Sequence, residues 1–173
     1  MTISKPQDSE FAPFYAGYID KVSTLGPVGL LESQLDAFDL LRKVPADESN
    51  HRYAHDKWSV KEVVGHVADA ERVFSYRLLR IARADPTPLA GFDENAWALV
   101  APHGKRPIAE VVEELIAVRR ATITLVGSLD ETALGNSGVA NNNPVSGRAI
   151  CWIIPGHAQH HLGILAERYG IPV

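Results

Sequence analysis

Three observations predict an all-α protein built as a four-helix bundle. Four segments carry apolar residues at helical spacing, and each is bounded by recognisable start and stop residues. No segment alternates apolar and polar residues convincingly, as a half-buried strand would. In a chain of 173 residues, four amphipathic helices bury their apolar stripes best against one another.

The first helix lies in "GPVGLLESQLDAFDLLRKVP". Pro27 suits the first helical position, Leu30, Leu31, Leu35, Phe38 and Leu41 form the apolar row, and Pro45 stops it. The second has the clearest start. In "HDKWSVKEVVGHVADAERVFSYRLLRIAR", Ser59 and Glu62 form an S-x-x-E capping box, and Trp58 and Val63 stand at the two hydrophobic-staple positions. Val60, Val63, Val64, Val67, Phe74, Leu78 and Ile81 then carry the helix to about Arg83.

The connection "ADPTPLAGFDENAWALVAPHGKRP" is too long for a tight turn, and loops of this length often pack across an opening. The third helix, "IAEVVEELIAVRRATITLVGSL", has Pro107 at its first turn and an apolar row through Val111, Val112, Leu115, Val118, Ile123 and Val126. Glu110, Glu113 and Glu114 fall early, where the helix dipole favours them. "GNSGVANNNPVSGR" reads as a polar, turn-rich loop, and the last helix spans about Arg148 to Tyr169, closed by Gly170 and Pro172. Ahead of the bundle, "EFAPFYAGYIDKV" reads as a short helix or arm against the body, and residues 1–12 as a flexible or peripheral arm. One domain over residues 1–173 is expected.

Composition narrows the function classes. Hydrophobic residues make up 46% and charged residues 22%, as in a globular protein. The net charge of −4 with scattered Lys and Arg leaves no basic face for nucleic acid. No apolar run is long enough to span a membrane and the N-terminus carries no signal-peptide core, so a cytoplasmic location is expected. A single cysteine, Cys151, excludes an intramolecular disulfide and a cysteine metal cluster, and reads as a small buried residue.

The chemistry concentrates in "IIPGHAQHHLGIL". At about 100° per residue, His157 and His161 lie about 40° apart on the apolar stripe and one turn apart along the axis. Two imidazoles at i and i+4 can grip one metal ion, and a third ligand must come from another helix. His66 is the best candidate, although it projects to the edge of its stripe. His160 falls on the flank, while His51, His55 and His103 sit in polar connections and read as solvated. Asp69, Glu71 and Glu94 are the carboxylates considered for a general base. Glu71 projects into the apolar stripe, where it needs a partner such as Arg168. Ala158 stands where a zincin places its glutamate, so an HExxH protease is excluded. Pro155 and Gly156, both poor helix formers, are expected either to kink the last helix ahead of His157 or to mark its start.

With "KWSVKEVVGHVADAE", "LLRIARADPTPLAGFDENAW" and "GHAQHHLGILAERYG" in view, the chain resembles the DinB family, in its YfiT-like branch of metal-dependent hydrolases. The resemblance covers nearly the whole chain from "YAGYID" onward. It implies an up-down-down-up four-helix bundle and a divalent ion, nickel or zinc, held by His66, His157 and His161. It also implies a small-molecule substrate and a homodimer, to which an exposed aromatic such as Trp97 contributes. Hydrolysis is the leading expectation. A low-molecular-weight thiol S-transferase and a non-catalytic metal- or ligand-binding stress protein are the alternatives.

Overall fold

The computed structural model describes residues 2–172. In chain order it contains 3-10 turns at Asp8–Glu10 and Pro13–Tyr15, α1 (Ala16–Ile19), α2 (Gly26–Leu41), α3 (Ala46–Asn50), α4 (Val60–Ala82) and α5 (Glu94–Val100). A 3-10 turn at Pro102–Lys105 follows, then α6 (Ile108–Gly127), α7 (Glu131–Gly135), the hairpin β1 (Ser137–Ala140) and β2 (Asn143–Ser146), and α8 (Gly147–Tyr169). The long helices α2, α4, α6 and α8 are the four that the periodicity predicts.

Cross-helix pairs fix their directions. Arg42 at the end of α2 reaches Ala109 and Glu113 at the start of α6, so these two run antiparallel. Val63 and Val111 share one apolar cluster while Ile81 and Val126 share another, so α4 and α6 run parallel. His66 faces His161 and Phe74 faces His157, which makes α8 antiparallel to α4. The result is the up-down-down-up bundle.

Local chemistry explains the boundaries. Ser59 accepts from the Glu62 backbone N–H, and the Glu62 carboxylate accepts from the Ser59 N–H at 2.6 Å, completing the expected capping box. Asp93 caps α5 and Ser146 caps α8 in the same manner. The turn-rich segment before α8 departs from expectation, because it folds as a hairpin. Asn141 and Asn142 both take positive φ, 50° and 61°, as a two-residue hairpin turn of the right twist requires. Leu89 bridges to Ala140 and so ties the long α4–α5 connection to the hairpin. The N-terminal segment expected as an arm lies packed on the bundle. Ile3 and Phe11 are in its core, and the Ile3 carbonyl accepts from the Trp152 indole at 3.3 Å.

The last helix passes through Pro155 without interruption, which excludes a start at that residue. Gly156 makes room for a neighbour. A Cβ there would stand 2.1 Å from the Tyr18 carbonyl oxygen, so its absence lets the α1 backbone rest directly on α8. The Pro155 carbonyl accepts from Gln34 Nε2 at 2.9 Å, tying α2 to the same turn.

Two apolar clusters fill the bundle, one around Leu31, Leu78 and Ile154 and the other around Phe38, Val64, Val112 and Leu165. Between them lies a buried charged layer. Arg119 on α6 is fully buried, and its Nε and Nη2 donate to both oxygens of Glu71 on α4, at 2.7 to 3.1 Å. Its Nη1 donates to the Leu31 carbonyl and the Gln34 side chain on α2. This corrects the expected partner of Glu71, since Arg168 is exposed on α8.

Removing one member of this layer strands the other in a dry interior. We expect Glu71→Ala to cost about 3–5 kcal/mol of unfolding free energy, and Gly156→Ala, which forces α1 off α8, about 1–3 kcal/mol. Urea unfolding checks both. A loss below about 1 kcal/mol for Glu71→Ala contradicts the role given to the layer.

Candidate metal centre

Where the charged layer meets α8, three histidines converge. One ring nitrogen from each of His66, His157 and His161 lies within 4.8 Å of the other two. His66 Nε2 and His157 Nε2 stand 3.2 Å apart. Two imidazoles bound to one tetrahedral ion would stand about 3.3 Å apart. Facing lone pairs repel, so this spacing requires either a shared proton or a shared cation. His161 Nδ1 is also buried without a hydrogen-bond partner, an orphan of the kind that a bound ion satisfies. The donor set therefore fits a divalent ion.

The surrounding rings hold these side chains in place. Trp58 packs on His66 with ring centroids 4.7 Å apart. Tyr18 and Phe74 flank His157 edge-on at 5.3 and 5.5 Å. His160 lies beside Tyr18 and His161 but outside the converging set, as its flank position suggested. Burial disfavours the imidazolium throughout the cluster. It lowers the His66 pKa to about 4 and pushes His157 and His161 well below the usual value. All three are thus neutral near pH 7, the form that can ligate.

Two cavities reach the cluster. One of about 180 Å³ opens onto His66 and His157 between Tyr15, Phe74 and Phe92, with Glu94 and Asn141 at its edge. Residues of "FDENAW" and of the "NSGVANNNPVSG" segment, Phe92, Glu94 and Asn141, thus border the site. A second cavity of about 220 Å³ reaches His161 past Trp58 and Tyr169.

His51 and His55 are exposed, as expected of polar connections. His103, expected to be solvated as well, is buried and its Nε2 lies 2.9 Å from Asp69. Its ring covers Gly65, where a Cβ would fall 2.2 Å from His103 Cγ. A glycine inside a long helix, next to His66, was the one sequence sign of that close approach. Burial raises the Asp69 carboxyl, but the His103 hydrogen bond and nearby cations outweigh it and hold the group low. Cys151 is buried and its thiol pushed up to about 12, so it stays inert.

A parallel-pair helical bundle with histidines converging inside it defines the class: an all-α protein whose interior carries a candidate metal site. The sequence pattern of the DinB superfamily matches residues 30–165, and the chain belongs to that superfamily. A protein of Oceanobacillus iheyensis named "Putative metal-dependent hydrolase" is 26% identical over 118 residues, covering 67% of each chain. In solved structures the chain is similar to YfiT from Bacillus subtilis, described as "a probable metal-dependent hydrolase with an unusual four-helix bundle topology". That likeness has a TM-score of 0.72 at 16% identity and covers 98% of this chain and 95% of the other, which establishes the shared fold.

The depressed histidines set a pH dependence for the metal-free protein. In the unfolded chain they protonate near pH 6.5, whereas the folded state resists protonation to about pH 4 at His66. The unfolded state binds more protons in that window, so stability rises with pH there and falls on acidification. His66 alone contributes a slope of about 1.4 kcal/mol per pH unit. Urea midpoints from pH 7.5 down to pH 4.5 should fall, and fall less steeply in His66→Gln. A parent and a variant with the same dependence would contradict this.

Proposed function

We propose that this protein is a metal-dependent hydrolase acting on a small molecule, with His66, His157 and His161 holding one divalent ion, nickel or zinc. The observation that carries the reading is the convergence of three neutral ring nitrogens at ligand spacing beside two cavities. Membership of the DinB superfamily and the name of the Oceanobacillus relative support it. Three imidazoles suit either metal, and they leave coordination positions for water and substrate. When bound, such an ion polarises a carbonyl and makes water or a thiol nucleophilic near neutral pH.

The chain's own residues supply the rest. Burial keeps the imidazoles neutral, and Trp58, Tyr18 and Phe74 fix their planes. Of the three carboxylates, Glu71 is committed to Arg119, and Asp69 to His103 and Arg72. Glu94 lines the cavity with His66 and is exposed, with no ion pair among the described residues. We assign it as the proton acceptor. The same reading places the protein in the cytoplasm as a homodimer without nucleic-acid or membrane partners. Exposed Trp97, Leu99 and Val100 on α5 support the dimer contact, and no described helix is long and apolar enough to cross a membrane.

Mass spectrometry after loading with nickel or zinc tests the site. Close to one ion per chain is expected in the parent and little in His161→Ala; an empty parent overturns the reading. Glu94→Gln should keep its ion yet lose about 10²-fold in kcat/KM for hydrolysis of activated esters. Unchanged hydrolysis removes the role given to Glu94. Consumption of low-molecular-weight thiols in place of hydrolysis would assign the centre to S-transfer.

A further inference from the structure

The cavity on the His66 and His157 side contains a charge that the proposed chemistry does not use. Arg77 on α4 lines it and is 96% buried, being only 4% exposed. No carboxylate pairs with it among the described residues, although Glu94 borders the same cavity. Its Nη2 donates to the Ala90 carbonyl at 2.7 Å, while its Nε is buried with no partner. The Tyr15 hydroxyl also stands beside the guanidinium, yet the unpaired Nε is costly to bury and contrasts with Arg119, whose Nε, Nη1 and Nη2 all donate to protein acceptors.

The walls beside Arg77 are aromatic. Its guanidinium carbon lies 6.0 Å from the Phe74 ring centroid and 5.9 Å from that of Phe92. Phe74 in turn stands 5.5 Å from the His157 ring. A fixed cation and a histidine that faces the candidate metal centre thus both neighbour one phenyl ring and line one cavity. Aromatic faces around the guanidinium orient its planar fork, and a planar acceptor of two hydrogen bonds matches that fork best.

We infer that this cavity is a subsite for a small molecule carrying one carboxylate on a short apolar body, with Arg77 as the anion's partner. A single cation, the aromatic rings of Phe74 and Phe92 and the Glu94 carboxylate in the lining favour a monoanion over a phosphate dianion. The placement of the reacting end toward the histidines rests on the proposed hydrolase reading. The anion's partner does not, because Arg77 and the Phe74 and Phe92 rings beside it are not metal ligands.

Calorimetric titration of the metal-free protein with 3-phenylpropionate and with 3-phenylpropionamide separates the two. Removing the metal matters, since a carboxylate could otherwise bind the ion itself. At least tenfold tighter binding of the carboxylate is expected in the parent, retained in part by Arg77→Lys and lost in Arg77→Met. In ¹⁵N-labelled protein the Arg77 Nε–H resonance, identified by its loss in Arg77→Lys, should shift with the carboxylate and stay still with the amide. Equal affinities, a preference that appears only with metal bound, an unmoved Nε–H signal, or tighter binding of inorganic phosphate would each overturn the assignment. The parent titration and the resonance decide the matter even if Arg77→Met does not fold. An Arg77-dependent preference in a protein that takes up no metal would keep the subsite while removing the hydrolase reading.

Discussion

The structure turns on the buried contact between Arg119 and Glu71. A guanidinium in a dry interior must have every donor it can satisfied, and Arg119 spends its donors on three helices' worth of geometry: Glu71 from α4, and Leu31 and Gln34 from α2. Gln34 passes the constraint onward, donating to the Pro155 carbonyl and to Gln159 on α8. One hydrogen-bonded layer therefore sets the relative height of all four long helices. The apolar clusters above and below it are less particular, because side chains such as Leu, Val and Ile pack acceptably at several registers.

That layer is also what brings the histidines together. Glu71 lies five residues beyond His66 on α4, and Pro155 lies two residues ahead of His157 on α8. A slip of either helix by one turn, about 5.4 Å, would separate the ring nitrogens beyond the reach of a common ligand. Gly156 serves the same end from the outer side, since α1 can rest on α8 and bring Tyr18 against His157 only where no Cβ intervenes. The glycine at 156 answers to packing against α1.

Much of this was legible in the sequence. Four periodic segments with a capping box, a proline start and a glycine stop gave the bundle, because those signals act over a few residues. The HxxxH pair was legible for the same reason. His66 was less so: as the histidine on another long helix it was the best third candidate, but its angular position put it at the edge of a stripe, and the resemblance to known sequences strengthened the assignment. What stayed hidden depends on long-range pairing. Glu71 could be seen to need a cation, but the choice of Arg119 over Arg168 follows from α6 lying beside α4 at that height. His103 sits in a loop whose sequence looks solvated, and its burial is created by the path of the α5–α6 connection over Gly65. The hairpin escaped notice because Asn-Asn, without a glycine, is a weaker turn signal than Asn-Gly. Arg77, three residues after Phe74, carries no local signal of burial, since the Ala90 carbonyl and the Phe92 ring reach it only through the path of the α4–α5 connection.

The proposed function stands on His66, His157 and His161 sharing one ion. Its most direct test is a crystal of the nickel- or zinc-loaded protein measured across the metal's absorption edge. One anomalous peak per chain is expected, bonded at about 2.0–2.2 Å to a ring nitrogen of each of His66, His157 and His161. A peak held by His51, His55 or His103 instead, or a fully loaded protein with density elsewhere and the trio linked only to each other, would contradict it.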